Sequence, residues 1–86
     1  MYKVIIVEDD PMVAQINRGY IEQLPELSVS AVLGNGKLAL EYFGGNGADL
    51  AILDVYMPEL NGMELLRAMR ARGLDTDVIM VTAAND

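Results

Sequence analysis

Eighty-six residues make one small domain, and with 52% of them hydrophobic the chain can build a core, though with a thin stability margin. A net charge of −7 argues against direct binding to nucleic acid or an anionic membrane surface, both of which need clustered Lys and Arg. Without cysteine or histidine, disulfides, thiol redox chemistry, zinc sites and histidine general-base catalysis are all excluded, so a reactive site must run on oxygen ligands.

The first predicted strand, Lys3 to Val7, is a continuous apolar run that stops at Glu8-Asp9-Asp10. It is too short for a signal-peptide core or a membrane span, which makes the cytoplasm the expected location. Asp10-Pro11 reads as an N-cap followed by proline at the first helical position. Met12, Val13, Ile16, Tyr20 and Leu24 then recur at helical spacing until Pro25 ends the helix. Ser28 to Leu33 alternates and then turns apolar, as a strand near a sheet edge would. Gly34-Asn35-Gly36 is a turn, and with Lys37 it superficially matches a phosphate loop but lacks the Walker spacing. A short helix runs from Lys37 to Phe43, and Gly44-Gly45-Asn46-Gly47 is a loop into the third strand, Asp49 to Asp54.

Asn61 with Glu64 one turn on is a capping arrangement, Met63, Leu66 and Met69 form a stripe, and Gly73 sits where a helix C-cap belongs. Pro58 and Gly62 are read as loop-shaping residues, Gly62 allowing either close packing or positive φ. The fourth strand, Val78 to Val81, stops at Thr82. Met12, Met57, Met63, Met69 and Met80 are expected to fill the core rather than to form a cofactor box. Strands alternating with helices through right-handed crossovers give an α/β fold with a parallel sheet.

Three of these strands end at a polar residue that can do chemistry. In an open parallel sheet the crevice at the carboxyl ends of the strands is where ligands bind, which places Glu8, Asp9, Asp54 and Thr82 in one pocket. Two carboxylates about 4 Å apart repel by roughly 4 kcal/mol at an effective dielectric near 20, so three together need a proton or a cation. A hard divalent ion such as Mg2+, octahedral and with positions left for phosphate oxygens, meets that need. A carboxylate beside it can act as a nucleophile toward phosphorus and give an aspartyl phosphate.

Val4-Ile5-Ile6-Val7-Glu8-Asp9-Asp10-Pro11, Leu53-Asp54-Val55-Tyr56-Met57-Pro58-Glu59-Leu60-Asn61-Gly62 and Val78-Ile79-Met80-Val81-Thr82-Ala83 together resemble the receiver domains of two-component response regulators. The resemblance implies a flavodoxin-like (CheY-like), doubly wound parallel sheet of order 2-1-3-4. It implies Asp54 as phosphoacceptor, Asp9 as a direct Mg2+ ligand with Asp54 and the Tyr56 backbone carbonyl, and Glu8 acting through water. Thr82 would be the switch hydroxyl, and the Ala83 amide would hold a phosphate oxygen. The implied partners are a sensor histidine kinase and, through an output region outside this chain, DNA. Gln15, Asn17, Tyr20 and the ending Thr82-Ala83-Ala84-Asn85-Asp86 further resemble the subgroup paired with sensors of citrate and C4-dicarboxylates.

The resemblance covers the whole chain but only about the first two-thirds of the family's domain, whose fourth helix, lysine-bearing fifth strand and fifth helix have no counterpart here. Lys3 and Lys37 fall in the wrong elements to stand for that lysine. Two further expectations follow: a homodimer or other self-association through an uncovered fourth-strand edge, and an alternative function as a non-phosphorylatable metal-binding or interaction module. A Mg2+-dependent phosphatase using Asp54 is disfavoured, because Tyr56 occupies the position where such enzymes carry a second carboxylate.

Overall fold

The computed structural model describes residues 1–82. Four strands and three helices alternate along the chain: β1 (Tyr2–Val7), α1 (Pro11–Glu22), β2 (Leu27–Leu33), α2 (Gly36–Phe43), β3 (Leu50–Asp54), α3 (Gly62–Ala71) and β4 (Asp77–Val81). The strands form one parallel sheet of order β2-β1-β3-β4, as expected. Central β1 and β3 are covered on both faces, which is why their sequences read as unbroken apolar runs rather than alternating ones.

Alternate residues of those strands feed two cores. Ile5, Val7, Ala51 and Leu53 pack with Ala39 and Phe43 of α2 and with Leu65 and Met69 of α3. Val4, Ile6 and Ile52 face the other way, against Ala14 of α1. The layers are therefore α1, sheet, and the α2–α3 pair. Burial of a large aliphatic side chain is worth about 1.5–3 kcal/mol, so the fully buried Ile5, Ile6, Leu53, Leu65 and Met69 anchor the fold.

Local signals set the helix ends. The Asp10 side chain accepts from the Met12 N–H at 2.9 Å, with Pro11 at the first helical position. Asn61 and Glu64 complete a reciprocal capping box, both hydrogen bonds 2.9 Å long. Gly73 follows the last turn of α3 at φ 79°, the left-handed conformation that a glycine accepts without a Cβ penalty.

Some expectations are corrected. α1 ends at Glu22, before Leu24 and Pro25, with Gln23 as its C-cap. Asn35 is the N-cap of α2 and Gly36 its first residue, so the predicted turn is shorter and the helix starts one residue earlier. Of the five methionines read as core, Met57 and Met69 are buried and Met80 is half-buried, but Met12 and Met63 are exposed. Helical spacing locates a stripe without saying which flank meets the sheet; in α1 the small Ala14 does so, while Met12, Ile16 and Tyr20 look outward.

Candidate functional site

The carboxylates converge because adjacent strands end together. Val7 is in register with Leu53, and Asp54 with Val81, so Glu8 follows β1 next to the end of β3, and Thr82 follows β4 beside it. The Glu8 N–H donates to the Leu33 carbonyl at 3.0 Å and the Val55 N–H to the Val81 carbonyl at 3.0 Å, extending the ladders one residue past each strand. The site thus hangs on rigid sheet rather than on loop alone.

Carboxylate oxygens of Glu8, Asp9 and Asp54 lie within 4.8 Å of one another. Glu8 and Asp54 are buried, at 6% and 7% exposure, while Asp9 is exposed at the rim. Backbone donors orient two of them: the Asp10 N–H donates to Glu8 Oε2 at 3.1 Å, and the Tyr56 N–H to Asp54 Oδ1 at 3.2 Å. Burial pushes the Glu8 carboxyl up to about 7, partly offset by the Asp10 N–H and reinforced by Asp54 and Asp9. Near neutral pH the Glu8 carboxyl therefore still holds a proton in part of the molecules, which a divalent cation would displace. Three convergent hard-oxygen donors, two of them desolvated, fit Mg2+ chemically.

Packing under the cluster explains a second motif. A Cβ on Gly62 would collide with the Asp54 carbonyl oxygen, and the Gly62 N–H donates to the Val55 carbonyl at 3.1 Å. Of the two readings of Gly62, close approach is the right one, since its φ is not positive. Thr82 is exposed beyond β4, and Ala83 lies outside the described residues.

Comparison with known proteins returns the same fold. The model of the response regulator receiver domain matches residues 4–86. The chain belongs to the response regulator receiver domains. This receiver is 44% identical over 85 residues to "Probable C4-dicarboxylate response regulator DctR" of Priestia megaterium, covering 99% of this chain and 37% of that protein. It is 43% identical over 88 residues to the transcriptional regulatory protein CitT of Halalkalibacterium halodurans, covering 100% of this chain and 38% of that one. It is also similar to the solved MaeR response regulator bound to beryllium trifluoride, with a TM-score of 0.84 and 32% identity over 100% of this chain and 70% of that chain. The receiver therefore spans a little over a third of the length of these curated relatives. Among the described residues no helix is long and apolar enough to cross a membrane.

Proposed function

We propose that this receiver accepts a phosphoryl group from a sensor histidine kinase onto Asp54, in a site that holds Mg2+, and controls transcription through an output region outside the chain. The observation that carries the reading is the gathering of Glu8, Asp9 and Asp54 within 4.8 Å at the carboxyl edge of the sheet. Asp9, Asp54 and the Tyr56 carbonyl would hold the ion directly, and Glu8 through water. When bound, Mg2+ supplies positive charge that neutralises both the carboxylates and the incoming phosphoryl oxygens.

The chain's own groups do the rest. The Tyr56 N–H on Oδ1 fixes the Asp54 carboxylate plane, and an Asp54 oxygen attacks phosphorus. The bond from phosphorus to the kinase histidine nitrogen breaks, and its electron pair stays on the imidazole. The new acyl phosphate carries strong acceptor oxygens, toward which the Thr82 hydroxyl would turn and one of which the Ala83 amide would help hold. The name of the DctR relative supports a signal of the C4-dicarboxylate class. A second copy pairing on β4 is the self-association that fits best: among the described residues β4 is the last strand of the sheet, and its Ile79 is 50% exposed.

Incubation with Mg2+ and a phosphoramidate donor, followed by intact mass, tests the central reading. The wild-type chain should gain one phosphoryl group and Asp54→Asn none; equal gain by both, or by neither, would refute Asp54 as the acceptor.

A further inference from the structure

Gly36 opens α2 at a φ outside the left-handed region, so its backbone does not call for glycine. It is nonetheless buried, and a Cβ there would lie 2.7 Å from Leu60 Cδ2 and 3.1 Å from both Leu60 Cβ and Cγ. A rotamer change can move Cδ2 and Cγ away, but Leu60 Cβ moves only with the backbone. Leu60 belongs to the loop between Asp54 and α3. The residue before it, Glu59, has φ 69°, and the Leu60 N–H donates to the Pro58 carbonyl at 2.8 Å across it, which makes a strained three-residue γ-turn. Such a turn persists only when its surroundings hold it.

The other end of the same loop is tied to the site. The Tyr56 N–H meets Asp54 Oδ1, and Gly62 packs on the Asp54 carbonyl. A cavity of about 60 Å3 lies beside the contact between the two loops, lined also by Lys37 and Pro58, so a displaced Leu60 has room to carry the loop with it without unfolding the domain.

We propose that Gly36 is a positioning residue for the Asp54 site: by leaving room for Leu60 it seats the strained Glu59 turn and so sets where the Tyr56 and Asp54 backbone stands. The inference rests on the metal-site reading only for its functional consequence, since the coupling between the loops is a property of the ligand-free chain.

The test compares wild type, Gly36→Ala, Leu60→Ala and the double variant by backbone NMR without ligand and by Mg2+ titration. Gly36→Ala should shift the amides of Tyr56 and Gly62 as well as those of its own helix, and weaken Mg2+ severalfold while the urea midpoint stays level or rises. The double variant should recover part of both effects, because only the Leu60 Cβ contact remains, although Leu60→Ala alone lowers the midpoint. Shifts confined to α2, with Mg2+ affinity unchanged, would overturn the proposal. Should Gly36→Ala fail to fold, Leu60→Ala decides alone: faster hydrogen exchange at the Gly62 amide supports the contact, and unaltered exchange refutes it. Remote shifts in a chain whose wild type ignores Mg2+ would uphold the contact and sink the metal reading; Mg2+ binding without remote shifts would do the reverse.

Discussion

Glu8 is the residue whose chemistry most constrains the site. Its carboxyl titrates near 7 rather than 4.5, chiefly because it is buried and then because Asp54 lies beside it. A raised pKa means the folded chain holds this proton more tightly than the unfolded one. Its contribution to stability is complete below about 4.5 and is lost as the pH rises through about 7. Glu8→Gln should therefore stabilise the ligand-free chain at about pH 8 by on the order of 1 kcal/mol and flatten the slope of urea midpoint against pH. A slope as steep in the variant as in wild type would place the titration elsewhere. Mg2+ competes with the same proton, so its affinity should fall on acidification from neutral pH. Glu8, Asp9 and Asp54 were legible from sequence because each sits at or just past an apolar run, where strand ends meet. Gly36 was not: its neighbour Leu60 is distant along the chain, and a Gly-Asn-Gly stretch reads as a turn whatever it touches.

Elements were legible where the signals are local. Capping residues, proline and glycine placed all three helices to within a few residues, and unbroken apolar runs marked β1 and β3 as central strands. What periodicity left open is which flank of α1 is buried. That is decided by the twist and spacing of the sheet below, which accepts Ala14 and leaves Met12 73% exposed. The start of α3 offers a test, because its capping box lies next to Gly62, which packs on the Asp54 carbonyl. Asn61→Ala removes the acceptor for the Glu64 N–H and should lower stability by about 1 kcal/mol, as seen by a shifted urea midpoint. An unchanged midpoint would mean that the box contributes nothing beyond water.

At the scale of the whole molecule, alternation of strands and helices with right-handed crossovers made the parallel sheet legible, while its order 2-1-3-4 was implied by the resemblance to receiver domains. Among the described residues β4 lies at the edge of that order: its ladder partners are on the β3 side, and Ile79 is half exposed in a strand that has no buried residue. Sedimentation should show the average mass rising with protein concentration, more so with added salt, because salt screens a net charge of −7 on each copy. A monomeric mass at every concentration would rule out the β4 pairing. The acidic triad and the open edge occupy different parts of the same sheet, so metal binding and association can be read separately.

The most direct measurement is backbone NMR of this chain with Mg2+ and beryllofluoride, with Asp54→Asn as control. Saturable, Mg2+-dependent shifts at Asp9, Asp54 and Thr82 that vanish in the control are the predicted result. Shifts that persist in Asp54→Asn, or none at all in the wild-type chain, would contradict a phosphoryl-accepting site built on Asp54.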